Sequence, residues 1–140
     1  MLKRLLILFA LLLSTHGLCA ASGPVPSGPV KAFKGPEGET IVMMEVNSSK
    51  EILVHYKGIG GDLEGKSFLY FFEEQRNGKK DVYMNVKEGR KTSAYYVLSF
   101  RNSQWEFFNP NKKGNSIKIN YSEKDSEKFK SDELLAAYKP

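Results

Sequence analysis

The chain holds one cysteine, Cys19, one tryptophan, Trp105, and two histidines, His16 and His55. A lone cysteine excludes an internal disulfide, and a single histidine in the body of the chain leaves no His/Cys set for a metal. No serine or cysteine lies in a nucleophile motif, so acyl transfer by a triad or dyad has no basis. Metal, phosphate and other cofactor sites are not expected. The longest unbroken apolar run is Leu5–Leu13, too short to span a bilayer, and the chain is not expected to be membrane-spanning. Charge of one sign is also scarce. The formal net charge is +5 and falls to +3 without Lys3 and Arg4. The basic doublets Lys79-Lys80, Arg90-Lys91 and Lys112-Lys113 fall in expected turns, so no nucleic-acid partner is expected.

The N-terminus carries what those absences leave visible. Lys3 and Arg4 form a positive n-region, Leu5–Leu13 an apolar core, and Cys19-Ala20-Ala21-Ser22 a small-residue cut site. This is the composition of a secretory signal peptide, here residues 1–21, and it implies a secreted or periplasmic protein. A lipid anchor on Cys19 is not expected, because Leu18 and His16 occupy the positions where lipoprotein processing wants a small and an aliphatic residue. Residues 22–38 (SGPVPSGPVKAFKGPEG, with the first serine at 22) contain the near-repeat SGPVP/SGPVK. Proline and glycine at this density read as a flexible linker with no core of its own.

From Thr40 the pattern alternates with period two. Runs of Val, Ile, Tyr and Phe over about 40–47, 51–57, 67–75, 80–87, 92–100, 104–108 and 116–121 are separated by Gly, Asn and Ser clusters. The connections are hairpin-short. The expected fold is therefore mainly β: an antiparallel meander of about seven strands, a rolled sheet or small barrel, over residues 39–140. Asn77-Gly78 suits a two-residue type I′ turn, which would pair Arg76 with Lys79, Phe72 with Tyr83 and Phe71 with Met84. One face of that hairpin would carry Leu69, Phe71, Val82, Met84 and Val86, and the other Phe68, Tyr70, Phe72 and Tyr83. Both are apolar, so a second element must cover the outer one. The C-terminus offers it: Ser122 and Ser131 precede acids in helix-start patterns, and Phe129, Leu134, Leu135 and Tyr138 form the stripe of a short helix or of two short turns. The expected docking face is Phe68, Tyr70 and Phe72.

Candidate chemistry is sparse. His55 alternates with Leu53, opposite Ile52, Val54 and Tyr56, and reads as a surface or satisfied core residue. Glu73 and Glu74 are adjacent and point to opposite faces. Asp62 and Glu64 sit in the loop Gly58–Gly65, which lacks both a calcium-ligand spacing and the phosphate-loop pattern and reads as a wide turn. Aromatics are plentiful, with nine phenylalanines and seven tyrosines. Phe68, Tyr70, Phe72, Tyr83 and Trp105 are the candidate ligand or partner face. The expected function is a small exported, non-enzymatic binding or interaction module, its partner a protein or a cell-envelope glycan. The alternatives are an envelope enzyme in which Asp62, Glu64 or Glu73 converges with His55, and a structural component that assembles through a strand edge.

Overall fold

The computed structural model describes residues 23–84, 96–109, 112 and 114–140, without the side chains of Tyr83, Met84 and Tyr96. The expected signal peptide, residues 1–21, with Cys19 in it, lies outside the described residues, as do the expected strand segments at 85–87 and 92–95.

The chain is an antiparallel meander closed into a barrel. Its strands are β1 (Lys31–Lys34), β2 (Thr40–Val46), β3 (Glu51–Lys57), β4 (Ser67–Glu74), β5 (Lys80–Met84), β6 (Tyr96–Arg101), β7 (Gln104–Phe107) and β8 (Ile117–Tyr121). Two short helices, α1 (Glu123–Ser126) and α2 (Ser131–Ala136), follow. Each strand pairs with its sequence neighbour, and β1 closes the ring by pairing with β8. The mainly-β meander with a C-terminal helical element matches the sequence reading. The eighth strand does not: β1 arises inside the tract read as a flexible linker. Ala32 and Phe33 are buried there, so Lys31–Lys34 fold with the domain. On its C-terminal side Pro36 and Glu37 turn the chain into β2, and on its N-terminal side the Pro- and Gly-rich flank carries a bridge between Pro26 and Val46 and a bend at Gly28.

Alternation sorts the side chains into two cores. Inside the barrel lie Phe33, Ile41, Met43, Ile52, Val54, Tyr56, Tyr70, Val82, Leu98, Phe107 and Ile119, with Phe68 and Phe72 packed against them. Tyr56 and Tyr70 meet hydroxyl to hydroxyl at 3.0 Å. Burial raises both phenols, Tyr70 to about 12, so the pair stays neutral at physiological pH. Outside, on β1 to β4, a second core joins Ala32, Val42, Met44, Val46, Leu53 and Leu134, with Leu69, Phe129, Leu135 and Tyr138 half-buried beside them. The C-terminal stripe is thus the cover that the two apolar faces require. Ser122 caps α1 by accepting from the Asp125 amide. A hydrogen bond from the Ser67 amide to the Ala137 carbonyl, 3.1 Å, ties the end of α2 to β4.

The register of the β4–β5 hairpin corrects the sequence reading. The Gln75 amide donates to the Lys79 carbonyl at 2.7 Å and the Gly78 amide to the Gln75 carbonyl at 3.0 Å. Arg76, Asn77 and Gly78 therefore form a three-residue loop. Only Gly78 takes a positive φ, 74°, so this is a type I turn with a glycine bulge. Phe71 faces Tyr83 and Phe72 faces Val82. A one-residue slip moves a whole strand's side chains to the opposite face. Val82 joins Tyr70 and Phe72 inside the barrel, and Leu69 turns outward to the helices. Phe68, Tyr70 and Phe72 are consequently core-facing and are not the surface on which the helix docks. The two-residue left-handed turn appears instead between β6 and β7, where Asn102 and Ser103 have φ of 49° and 59°.

Leu134 is fully buried on β1–β3. Leu134→Ala is expected to lower the unfolding free energy by about 2–5 kcal/mol in urea titrations, through lost transfer energy and the cavity left behind. A change within experimental error would show that the helix does not seal the outer core.

Candidate functional site

The two ends of the barrel differ. Towards one end the interior is filled with rings, with a cavity of about 320 Å³ at the mouth among Glu39, Ile59, Phe107 and Ile117: Tyr56 lies 5.9 Å from Phe68 and 5.7 Å from Phe107, and Phe68 stacks on Tyr70 at 6.3 Å between centroids. At the other, where β2 ends and β3 begins, the barrel opens into a cavity of about 420 Å³. This lies within the size range of small-ligand pockets, and eight strands leave room for one such ligand where side chains do not fill them.

The cavity is built from side chains of seven strands, β1 to β7. Phe33 and Met43 line one side, Ile52 and Phe72 the next, and Phe100 and Trp105 the third, with Lys31, Glu45 and Lys80 among them. The Trp105 ring meets Phe100 at 5.2 Å and Phe33 edge-on at 6.1 Å, and Phe33 meets Tyr121 edge-on at 5.8 Å. Edge-on contacts orient the rings without stacking their faces away. The Lys80 ammonium lies 5.7 Å from the Phe72 ring centre and 3.6 Å from the Glu74 carboxylate.

Ser27, Gly28 and Pro29 complete the wall. The segment that leads into β1 is pinned to β2 and its turn. The Ser27 amide donates to the Glu45 carbonyl at 2.9 Å, the Asn47 amide to the Val25 carbonyl at 2.8 Å, and the Val25 amide to Asn47 Oδ1 at 3.0 Å. The Ser49 amide donates to Ser27 Oγ at 2.9 Å. Asn47, Ser48 and Ser49 all hold positive φ, 54–61°. This is an unfavourable conformation for residues bearing a Cβ, and the neighbouring contacts hold it in place. A Cβ at Gly28 would lie 3.2 Å from Glu45 Cβ, a tight contact to which the Glu45 side chain would have to yield.

Of the candidate face, Phe72 and Trp105 line the cavity. Tyr70 and Phe68 lie deeper, in the filled part of the barrel, and the Tyr83 side chain is outside the described residues. Sequence reasoning missed Phe33, Phe100, Lys31 and Lys80. Phe100 alternates with Leu98 in a recognised strand and could have been found by extending the period-two count. Phe33 could not, because its strand was hidden among prolines and glycines.

Of the acidic candidates, Glu73 lies far along β4 from His55 and Glu64 is engaged by its own loop. His55 Nδ1 is 3.0 Å from Ser67 Oγ, and its ring lies 6.2 Å from that of Phe129. It is half-buried beneath the C-terminal segment, and burial lowers its basicity. Glu73 lies six positions along β4 from Ser67, roughly 20 Å at strand spacing. Glu64 is closer to His55, but its carboxylate is held by its own loop. Gly58, Ile59 and Gly60 donate their amides to it at 3.0, 2.9 and 2.9 Å. Among the described residues no group of three His, Cys, Asp or Glu side chains could hold a metal ion, and no helix is long and apolar enough to cross a membrane. No protein-family model, curated protein or solved structure matches the chain.

The amides of Gly58 and Gly60, with a smaller part from Ile59, hold the Glu64 carboxyl below its usual range. A depressed folded pKa means that the loop gains stability above the unfolded carboxyl pKa and loses it as pH falls through the folded one. The Gly58 and Gly60 amide resonances are therefore expected to titrate together, with a midpoint below that of a free glutamate, and Glu64→Gln should abolish the transition. A midpoint at or above the free value would contradict the grip.

Proposed function

We propose that this chain is an exported, non-enzymatic binding module whose ligand or partner segment seats in the open end of the barrel. The observation that carries the reading is the contrast within one barrel. Rings fill the interior as far as Tyr70, and beyond them Phe33, Phe72, Phe100 and Trp105 enclose a hollow rimmed by charged side chains. An apolar hollow with a few polar groups at its edge is the usual form of a ligand seat. Export rests on the residues of the N-terminus: the basic pair, the apolar run and the small-residue cut site.

The carboxylate-enzyme alternative has less support, because Glu73 stands at the far end of β4 from His55 and Glu64 is engaged by backbone amides. Assembly through a strand edge also has little support. In a closed barrel every strand has a neighbour on both sides.

Trp105, in the cavity wall, is a built-in reporter. Titration of the purified protein with an anilinonaphthalene sulfonate dye, and separately with detergent-solubilised envelope fractions, is expected to shift Trp105 emission saturably. Phe100→Ala should weaken dye binding about tenfold, near 1.4 kcal/mol, while thermal melts report whether the fold persists. A folded Phe100→Ala protein that binds as the parent does, or a Trp105 signal that never responds, would overturn the reading.

A further inference from the structure

The open end has a second hollow. β8 pairs with β1 at only two positions, Phe33 with Tyr121 and Lys34 with Asn120. Beyond Tyr121 the chain leaves for α1, so beside Lys31 the barrel wall has no strand. A cavity of about 460 Å³ occupies that gap, lined by Ser103, Gln104, Ile119, Asn120 and Tyr121. It shares Lys31, Phe33, Phe100 and Trp105 with the first cavity. The aromatic trio is thus a common wall, with a hollow on each side.

We infer that the ligand is a linear, carboxylate-bearing glycan strand laid across the open end of the barrel, with one sugar ring against the Phe33–Phe100–Trp105 wall and units in both hollows. This rests on the binding reading above and names its substrate class. Shape favours a chain that lies across the end. The rings around Tyr56 and Tyr70 block the descent that an acyl tail would need. An extended peptide finds no ladder at the gap, because Pro29 has no N–H and Lys31 follows close behind, two features that blunt strand addition. A sugar strand needs neither. Its apolar ring faces suit Trp105 and Tyr121, and Tyr121 is 56% exposed. Its hydroxyls suit Asn120 and Ser103, whose side chains make no hydrogen bond among the described residues. Charge decides the acid. Among the described residues Lys31 is the only charged one common to both hollows and the only one lining the second. It forms no ion pair among the described residues, and Glu45, which lines the first hollow, does not line the second, so a carboxylate seated in the second hollow meets the Lys31 ammonium with no lining acid beside it.

The test compares three probes by calorimetry and by Trp105 emission: hyaluronan oligosaccharides, neutral chitin oligosaccharides and dodecanoate. Hyaluronan affinity is expected to rise about tenfold from dimer to hexamer, as successive units reach the second hollow. The hyaluronan hexamer should also bind about tenfold more tightly than the chitin hexamer, a preference that Lys31→Gln removes by lowering the hyaluronan affinity to that for chitin. Tyr121→Ala should weaken the hexamer and spare the dimer. Affinity independent of length, no preference for the acid, or dodecanoate binding with both glycans silent would overturn the inference while leaving the binding reading standing. If none of the probes, nor the dye, moves Trp105, both fail.

Discussion

Closure of the barrel by β1 is the constraint on which the rest depends. Four residues, Lys31–Lys34, pair with β2 along their whole length and with β8 over the last two positions. Where β8 gives out, α1 takes its place: the Ala32 amide donates to Ser126 Oγ at 2.8 Å, and the Ala32 carbonyl accepts from the Ser122 amide at 2.9 Å. Both backbone groups of a fully buried residue are thereby satisfied, as burial demands. Without this seam β2 and β8 would be open edges, and the interior rings would face water.

The same seam distributes the apolar surface. Ala32 anchors the outer core, onto which Leu134 folds back, while Phe33, the next residue, points inward to Trp105 and Tyr121. Because β8 stops short, the inner wall is incomplete on one side and the open end gains its lateral hollow. The fold therefore places its cavity and its weakest strand pairing together. Elsewhere the wall is reinforced. Asp81, buried on the outer face, accepts from Ser99 Oγ at 2.8 Å and faces Lys79 Nζ at 2.8 Å, linking β5 to β6.

Much of the architecture is legible in the residues alone, because period-two alternation and short turns leave few topologies for a chain of this length. Two apolar faces on the β4–β5 hairpin point correctly to a second covering element, and Phe129, Leu134, Leu135 and Tyr138 are the stripe that supplies it. Two things were not legible. A strand of four residues between Pro29 and Pro36 falls below any periodicity count, and composition there argues for a linker. Asn-Gly is compatible with both two- and three-residue loops, and the choice between them, which decides the inward face of β5, belongs to the packing of Val82 against Tyr70 and Phe72. The candidate site inherits both errors. Trp105 and Phe72 are recoverable from aromatic content, whereas Phe33 and Lys31 depend on knowing that the tract folds.

The barrel seam can be examined one amide at a time. Hydrogen exchange read by NMR at Ala32 and Phe33 reports whether the segment between the prolines is a strand or a tether. The expected result is exchange as slow as at Ile41 and Val54, since all four would open only with the barrel. Exchange at Ala32 and Phe33 near the rate of an unstructured peptide, with Ile41 and Val54 still protected, would contradict the closed barrel and the site built upon it.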